Sequence, residues 1–364
     1  MKKIIALFFA VLMAIILSTE IFAAPKGAVL IDKNSKRIFF EINKDKPLPM
    51  ASTTKIMTAV ITLEQENLDE YFTVDGNAIM VEGSSMGLKK GDRVTLRILA
   101  KGMLLASGND AANAAAVRIS GSTEAFIELM NQRAKEMGLE STSFETPSGL
   151  DGENHFSTAY DMAILAKNAL ENPDFAAICS EKSVTIEYGN PPYSRRITNH
   201  NKLLNTLDGA TGVKTGFTKK AGRCLVSSAE RDGVSLICVT LGCPDDWNYH
   251  KNLYEEYFKK LSSVPLEEDI PEIKIPVVGG EEAFIILKAL PVSAALFDGE
   301  KEKIEVIISK EPFVFAPFDE NEIFGKVIFK LDGETVAETP LVTEKSVSLK
   351  QSEKFFDKIK NIFN

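Results

Sequence analysis

The sequence has no excess of positive charge, few cysteines and no second long hydrophobic run. Its 364 residues include 42 Lys and Arg against 51 Asp and Glu, a net charge of −9. Proteins that bind nucleic acid non-specifically have the opposite balance, which argues against nucleic acid as a partner. Hydrophobic residues make up 45 % of the chain, which excludes wholesale disorder, and the length favours two domains.

Cysteine and histidine are too sparse to suggest a disulfide scaffold or a metal centre. Of the four cysteines, three lie close together in sequence, at Cys224, Cys238 and Cys243. An exported protein can pair two of them, but buried free thiols in a sheet are equally compatible with this spacing. The three histidines are widely scattered and do not predict a zinc site.

The one hydrophobic run lies at the N-terminus and has the pattern of a secretory signal. Lys2 and Lys3 precede an unbroken apolar stretch over residues 4–17, and small residues follow at Ala23 and Ala24. Fourteen helical residues span about 21 Å, which is short of a hydrocarbon core of about 30 Å. We therefore predict a signal peptide over residues 1–23, cleavage after Ala23 and an exported mature protein.

The next 240 residues combine strand patterns at both ends with helix patterns between them. Apolar runs at 28–31 and 38–40 predict an opening hairpin, and runs at 224–229 and 234–241 flank a turn at Asp232-Gly233. Helical spacing occupies the middle and returns at 246–261. We predict an α/β (α+β) domain over residues 24–264, with an antiparallel sheet flanked by helices.

The C-terminal part is predicted to be a small β-domain followed by an amphipathic helix. Prolines punctuate an acidic stretch over 264–276, a candidate linker, and short β-rich runs follow within residues 265–346. Over residues 347–364, an apolar stripe with cations beside it comprises Phe355, Phe356, Ile359, Ile362 and Phe363. The pattern favours a helix lying on a membrane surface, and the alternative is a helix docked on the β-domain.

Ser52 and Lys55 form the only Ser-x-x-Lys sequence in the chain. At the start of a helix the two side chains share one face, close to unpaired N–H groups that stabilise a developing oxyanion. A serine needs a base to act as a nucleophile, and a lysine serves only if its pKa is lowered by burial or a neighbouring cation. On its own, this motif is more typical of a helix cap beside a surface lysine.

Two further triplets carry the same kind of weak signal. Ser107 and Asn109 enclose a glycine after a predicted helix, where a hydroxyl relays protons and an amide holds a ligand or a lysine. Lys214, Thr215 and Gly216 precede the second hairpin and are predicted to lie on an edge strand. There the glycine allows close approach of a ligand backbone, which can pair with the strand's free edge.

Together, the three motifs have the order and spacing of penicillin-binding proteins and class A β-lactamases. Longer segments resemble the low-molecular-weight D-alanyl-D-alanine carboxypeptidases, a serine-type, peptidase S11-like family. These segments are residues 51–59, 82–88, 149–151, 157–161 and 340–343. The resemblance covers nearly the whole mature chain and implies a penicillin-binding, β-lactamase-like transpeptidase fold.

The resemblance implies a reaction and a first set of roles. The substrate is a peptidoglycan stem peptide ending in D-Ala-D-Ala, and β-lactam antibiotics are covalent inhibitors. Ser52 attacks the penultimate D-alanine, the terminal D-alanine leaves, and water hydrolyses the acyl-enzyme. Lys55 matches the general base, while Ser107 and Asn109 match the motif that passes protons and positions the substrate. The reaction needs no metal and no cofactor.

The remaining implied roles concern substrate binding. Lys214 and Thr215, within the Lys-Thr-Gly motif that ends at Gly216, receive the terminal carboxylate. The backbone N–H groups of Ser52 and Phe217 form the oxyanion hole. Some relatives carry a carboxylate-binding arginine where this chain has His200, whose charge at neutral pH is only partial. The loop over 147–160 is expected to shape access to the site.

Three other functions remain open at the level of sequence. A class A β-lactamase requires a glutamate in a Glu-x-x-Leu-Asn context, which the chain lacks; Glu153 has different neighbours. A non-catalytic wall-binding protein would have no need of intact motifs. An endopeptidase would use the same acyl chemistry with a different leaving amine. The exported location, at the outer face of the cytoplasmic membrane, places the enzyme where the wall substrate occurs.

Overall fold

The computed structural model describes residues 24–350, whose contacts divide into two units. Of the described residues, the first unit contains 24–30 together with Phe39–Ala229 and Ile237–Tyr254, and the second contains Ile31–Ile38, Glu230–Leu236 and 255–350. The predicted signal peptide and residues 351–364 of the predicted terminal helix lie outside the described residues.

A five-stranded sheet, most of whose residues belong to the first unit, is present in the N-terminal region, as the sequence predicted. The strands of the N-terminal region are β1 (Gly27–Asp32), β2 (Ile38–Ile42), β3 (Phe72–Thr73), β4 (Arg93–Val94), β5 (Ser183–Gly189), β6 (Pro192–Thr198), β7 (Ala210–Thr218), β8 (Gly222–Arg231) and β9 (Val234–Leu241). The sheet order is β2-β1-β9-β8-β7, which confirms both predicted hairpins and leaves β7 at an edge. The pairs β3-β4 and β5-β6 form separate two-stranded ribbons.

Helices lie between and after these strands. They are α1 (Lys55–Leu63), α2 (Leu96–Leu105), α3 (Asn109–Ser120), α4 (Thr123–Glu136), α5 (Ala159–Glu171), α6 (Pro173–Ser180), α7 (Leu203–Thr206) and α8 (Asp246–Tyr257). Every residue of α1 is buried, so this helix is apolar on all sides and central to the unit. The predicted helix over 246–261 ends earlier, at Tyr257, because Leu261 already belongs to a strand.

Local sequence explains where the helices begin. The side chains of Thr95, Ser122, Thr158 and Asn172 each accept a hydrogen bond from a backbone N–H in the first turn of α2, α4, α5 and α6. Helix α3 was not predicted, because its buried face consists of alanines, which give little hydrophobic periodicity. Small side chains there permit close packing around α1.

The second unit contains an all-β domain, as predicted. Its strands are β10 (Leu261–Pro265), β11 (Ile273–Val278), β12 (Phe284–Ala289), β13 (Ser293–Phe297), β14 (Glu305–Lys310), β15 (Val314–Phe315), β16 (Ile323–Leu331) and β17 (Glu334–Thr343). Six of them form a sheet in the order β14-β16-β17-β12-β11-β15, and β10 pairs with β13. Ile275, Val327 and Leu341 are fully buried in its core.

Two details of the C-terminal part differ from the sequence expectations. The proline-rich stretch over 264–276 is only partly a linker, since β10 ends within it and β11 begins there. Val347 is buried and forms a bridge with Phe318, so the start of the segment assigned to the terminal helix joins the β-domain. Between residues 24 and 350, no helix is both long and apolar enough to cross a membrane.

The structure shows whether any of the four cysteines form a disulfide, which the sequence left open. Cys179, Cys224, Cys238 and Cys243 are all buried and all unpaired. Burial raises the pKa of the Cys179 and Cys224 thiols to about 12. They are therefore protonated, inert packing residues rather than disulfides or nucleophiles.

Candidate active site

Ser52 lies in a tight 3-10 turn, Ala51–Thr54, immediately before α1 rather than within the helix itself. The turn is held by its own hydroxyls, since Thr53 donates to the Met50 carbonyl at 2.6 Å and Thr54 donates to the Ala51 carbonyl at 2.8 Å. Ala51 has a φ of +50°, a left-handed conformation that is rare for alanine. The turn thus presents Ser52 toward the cleft while its neighbours are buried.

Lys55, the first residue of α1, is fully buried and has three polar neighbours. Its Nζ lies 3.0 Å from Ser52 Oγ, 2.7 Å from Asn109 Oδ1 and 2.5 Å from the Ser148 carbonyl oxygen. Desolvation lowers the pKa of Lys55 well below its ordinary value, and the nearby charge of Lys214 lowers this pKa further. The amine therefore loses its proton far more readily than an exposed lysine does.

The three contacts of Lys55 fix what the neutral amine does. Asn109 Oδ1 and the Ser148 carbonyl are acceptors only, so they take the two hydrogens of a neutral amine. The lone pair then points to the third neighbour, Ser52 Oγ, which carries its own proton. This arrangement makes Lys55 a base for Ser52.

The second motif lies at the junction of α2 and α3. Ser107 is buried in a left-handed conformation with φ of +58°, and Lys214 Nζ donates to its Oγ at 3.1 Å. Asn109 begins α3; its Nδ2 donates to the Glu82 carbonyl at 2.6 Å while its Oδ1 faces Lys55. Both ends of the amide are thereby fixed in one orientation.

A single carboxylate holds the segment 82–88 against this motif. Asp110 accepts from the Ser85 hydroxyl at 2.6 Å and from the backbone N–H groups of Met86, Gly87 and Leu88, each at 2.9 Å. The same segment supplies the carbonyl oxygen that anchors Asn109. Sequence reasoning recognised this segment only through its family resemblance and gave Asp110 no role.

The third motif lies on β7, at the sheet edge as predicted. Lys214 is buried, donates to the Thr215 carbonyl at 2.8 Å and has its pKa lowered by desolvation to about 7. A Cβ on Gly216 would lie 3.1 Å from both Met50 O and Ser52 N. Glycine at this position therefore lets the strand approach the Ser52 turn backbone to backbone.

The loop over 147–160 does more than shape access, contrary to its predicted role. Gly149 has a φ of +86°, and a Cβ on it would lie 2.1 Å from the Ala51 carbonyl oxygen. This close packing brings the Ser148 carbonyl to Lys55. A backbone carbonyl is present in every residue, so the sequence could not predict that Ser148 contacts Lys55. The glycine at position 149 is the one local feature that is consistent with this close packing.

His155 in the same loop supports the Ser52 turn as a neutral ring. The Glu145 N–H donates to its Nδ1 at 2.9 Å, so Nδ1 is an acceptor and the proton lies on Nε2. Nε2 then donates to Thr54 Oγ1 at 2.8 Å. Desolvation lowers the pKa of His155 to about 4, consistent with a ring that stays uncharged.

These groups open onto a cleft of about 490 Å³. Of the predicted residues, the cleft is lined by Ser52, Ser107, His200, Thr215, Gly216 and Phe217. Lys55, Asn109 and Lys214 lie behind this surface and reach it through the contacts above. The structure therefore brings all nine predicted residues together. Lining residues that sequence reasoning missed are Ser84, Asn199, Lys202, Arg223, Asp246 and Trp247.

His200 is an exposed lining residue rather than a fixed cation. Desolvation and the nearby Lys214 lower the pKa of its ring, so both disfavour a charged ring at neutral pH. Among the described residues, no group of three or more His, Cys, Asp or Glu side chains could hold a metal ion. The contact between Lys55 Nζ and Ser52 Oγ gives this cleft a serine beside a buried lysine base.

Comparisons with known proteins agree with this geometry. A family model described as D-alanyl-D-alanine carboxypeptidase, peptidase S11, matches residues 17–245. A second model, the C-terminal domain of penicillin-binding protein 5, matches residues 265–348. The two matches fall on the region of the cleft and on the all-β domain, respectively.

Individual relatives span both regions. The chain is 32 % identical to D-alanyl-D-alanine carboxypeptidase DacF of Bacillus subtilis over 91 % of this chain and 87 % of that protein. It is 33 % identical to D-alanyl-D-alanine carboxypeptidase DacC of Escherichia coli over 88 % of this chain and 83 % of that protein. Penicillin-binding protein 5 of Haemophilus influenzae has a similar structure, with a TM-score of 0.70 at 30 % identity, covering 89 % of this chain and 97 % of the other.

The matches establish the penicillin-binding, β-lactamase-like fold and a carboxypeptidase ancestry along most of the chain. Covalent binding of penicillin is characteristic of these proteins. With the Ser52–Lys55 pair, the second motif and the edge strand assembled around one cleft, the chain belongs to the peptidase S11 family of D-alanyl-D-alanine carboxypeptidases, which are serine hydrolases.

Proposed function

We propose that this protein removes the terminal D-alanine from peptidoglycan stem pentapeptides through an acyl-enzyme on Ser52. The observation that carries the proposal is the 3.0 Å contact between Lys55 Nζ and Ser52 Oγ, in which two carbonyl acceptors occupy the other positions of the amine. That contact activates the alcohol without a histidine or a metal.

In the acylation step, the Ser52 proton passes to Lys55 as Oγ bonds to the carbonyl carbon of the penultimate D-alanine. The N–H groups of Ser52 and Phe217 stabilise the oxyanion; the close approach of β7 to the turn at Gly216 supports this pairing. The C–N bond then breaks, and the leaving nitrogen takes a proton from Ser107. Lys214, hydrogen-bonded to Ser107, replaces that proton.

Deacylation reverses the proton movements. A water molecule gives a proton through Ser107 to the now neutral Lys214 as its oxygen attacks the ester. Lys55 returns its proton to Ser52 Oγ as the ester bond breaks. A pKa of about 7 lets Lys214 give and take a proton near neutral pH, which supports this relay.

Substrate binding involves the remaining predicted residues. Thr215 offers a hydroxyl to the terminal carboxylate, and the free edge of β7 pairs with the extended peptide. β-Lactams, which carry a carboxylate and a reactive carbonyl, occupy the same positions and acylate Ser52. Residues 24–264 perform this chemistry, and residues 265–346 form the accessory β-domain.

We further infer that the protein is exported and acts at the outer face of the cytoplasmic membrane. The signal-like residues 1–23 and the amphipathic pattern within 347–364 support this location. A chain truncated after residue 350, which keeps the β-domain contacts of Val347, is expected to lose binding to anionic vesicles that the full mature chain retains. Equal binding by both chains would contradict a membrane role for the terminal segment.

D-Alanine release from a defined pentapeptide tests the enzymatic proposal. Wild-type protein is expected to release D-alanine and to form a covalent adduct with fluorescent penicillin, while Ser52→Ala does neither. Absence of release by the wild type, or equal release by both proteins, would refute the mechanism. Fast, sustained hydrolysis of a chromogenic cephalosporin would instead identify a β-lactamase.

A further inference from the structure

The cleft has two walls of different construction. One is β7, which is hydrogen-bonded to β8 along its length. The other is the irregular segment over 82–88, whose exposed residue Ser84 lines the cleft. The Ser84 carbonyl accepts from the Asn109 N–H at 2.7 Å. A substrate that pairs with the free edge of β7 has to fit between the two walls, so the position of the irregular wall affects binding.

One face of the β5-β6 ribbon packs against the outside of the irregular wall. Tyr188 and Tyr193 are directly opposed in the ribbon, and Arg195 is two residues beyond Tyr193. Residues at such positions point to the same face. The two tyrosine ring centres lie 5.0 Å apart, and the Arg195 guanidinium carbon lies 5.6 Å from the centre of the Tyr193 ring. The ribbon therefore presents a hydroxyl and an oriented guanidinium on one face.

Both groups bind the same backbone carbonyl in the wall. Tyr188 Oη donates to the Met86 carbonyl oxygen at 2.7 Å, and Arg195 Nη1 donates to the same atom. These two donors use both lone pairs of the carbonyl. On the other side, the Met86 N–H donates to the carboxylate of Asp110 on α3. The backbone at Met86 is thus held between the ribbon and α3, two residues from Ser84.

Gly87 allows the guanidinium to reach this carbonyl. A Cβ at position 87 would lie 2.1 Å from Arg195 Nη1 and 2.9 Å from its guanidinium carbon. The wall and the arginine are therefore fitted to each other. Strand β6 ends at Thr198, and the chain then reaches His200, which also lines the cleft. The same ribbon thus contacts one part of the cleft wall and leads directly into another.

We propose that Arg195 and Tyr188 are positioning residues that hold the 82–88 wall in its substrate-binding position opposite β7. The inference rests on the carboxypeptidase function proposed above and concerns how its substrate is bound. Without these contacts the wall occupies that position only part of the time, and the apparent affinity falls by the occupied fraction. Bound substrate restores the position, so the acylation step keeps its rate. The alternative is a contact that only stabilises the ribbon.

Separate measurement of binding and chemistry distinguishes these alternatives. Rapid-mixing kinetics of penicillin acylation over a range of concentrations give the dissociation constant of the noncovalent complex and the acylation rate constant. Arg195→Met is expected to raise this dissociation constant, and the KM for D-alanine release, about 10-fold, with the acylation rate constant changed by less than about twofold. Arg195→Lys, which keeps one donor, is expected to restore part of the binding.

Arg196 provides a matched control on the same strand. It is exposed, lies on the opposite face of the ribbon and donates to Ser183 Oγ at 3.1 Å. Arg196→Met is expected to leave both constants unchanged. Tyr188→Phe removes only the hydroxyl and should raise the dissociation constant by a smaller factor; it decides the question if Arg195→Met does not fold. An unchanged dissociation constant in the folded variants, or a fall confined to the acylation rate constant, would overturn the proposal.

A double-mutant cycle with Gly87→Ala tests the fit between the glycine and the arginine. The strain of the positive φ at position 87 is common to both backgrounds, so the cycle cancels it. Gly87→Ala is expected to raise the dissociation constant by a larger factor in the wild type than in Arg195→Met, and equal factors would refute the fit.

The penicillin constants also separate this inference from the proposed function. If the wild type is acylated by penicillin but releases no D-alanine, the carboxypeptidase proposal fails, while the dissociation constants of the variants still decide the role of Arg195. If the wild type is not acylated, both proposals fail.

Discussion

Asn109 Oδ1 lies 2.7 Å from Lys55 Nζ, and the opposite end of the same amide is fixed by the Glu82 carbonyl at 2.6 Å. The amide thus offers Lys55 a neutral acceptor in a single orientation. A carboxylate of the same shape would accept the same hydrogen bond but would also stabilise the ammonium form. The active site therefore depends on an amide at this position.

Asn109→Asp is expected to raise the pKa of Lys55 and to move the acid limb of the pH profile for penicillin acylation upward by about 1–3 pH units. The sign follows because Lys55 acts in its neutral form, which a higher pKa confines to higher pH. Asn109→Ala, which removes the acceptor without adding charge, should slow acylation with no upward shift. A profile of Asn109→Asp that coincides with the wild type would contradict the role of Lys55 as base.

Gly149→Ala is expected to lower the free energy of unfolding by about 1–3 kcal/mol and to slow acylation. The positive φ at position 149 is unfavourable for any residue with a side chain. The new Cβ would also clash with the Ala51 carbonyl oxygen and displace the turn that carries Ser52. Gly121 is the matched control: its φ is +80°, but no atom lies within 4 Å of its added Cβ. Gly121→Ala should cost stability while acylation is preserved, and equal acylation by the two variants would contradict the packing argument.

Two buried histidines predict a loss of stability in mild acid. Burial lowers the pKa of His155 to about 4 and that of His250 to about 3, from an ordinary value of 6.5. As pH falls below 6.5, the unfolded chain binds protons that the folded chain does not, so each ring costs about 1.4 kcal/mol of stability per pH unit until its folded pKa is reached.

Chemical denaturation at pH 7, 6, 5 and 4 measures this slope. His250 contacts Ser227 Oγ at 2.7 Å and Thr240 Oγ1 at 2.9 Å, so His250→Gln can retain polar contacts without a titrating group. The variant should lose part of the pH dependence, and substitution of His200, whose pKa is lowered by a smaller amount, should remove less of it. A wild-type stability that stays constant from pH 6.5 to pH 4 would rule out the neutral rings.

Asp110→Asn is expected to reduce both stability and acylation. An amide cannot accept from four donors at once, so N–H groups of the 82–88 segment lose their partner at about 1–3 kcal/mol for each one left buried. Asp75 is the control, because it caps Asn77 and Ala78 on the exposed surface and has no contact with Asn109. Asp75→Asn should acylate at the wild-type rate, and a wild-type rate for Asp110→Asn would show that the 82–88 segment needs no such anchor.

The sequence predicted what depends on side-chain type and spacing. The residue types and spacing of the three motifs indicate their chemistry, which is how the sequence identified Ser52, Lys55, Ser107, Asn109 and Lys214. The hairpin at Asp232 was predicted because its turn requires residues that tolerate positive φ. Helix positions followed from apolar periodicity where the apolar residues are large.

What the sequence did not show depends on long-range packing. The Ser148 carbonyl that completes the environment of Lys55 is a backbone atom, and the neutrality of His155 follows from burial and one N–H donor. Arg223 reaches the cleft only through strand register and its contact with Asp246, 23 residues away in sequence. None of these has a local pattern in the chain.

The four buried thiols make the folded protein unreactive toward thiol-alkylating reagents. With burial raising the pKa of Cys179 and Cys224 to about 12 and that of Cys243 to about 11, native molecules expose almost no thiolate to an alkylating reagent. Unfolding returns each thiol to water, where its pKa falls to the ordinary value of about 8.5 and it reacts with the reagent. The rate of thiol labelling therefore reports the open population of every variant described above without an engineered cysteine, and the native state requires no oxidant because all four thiols are free.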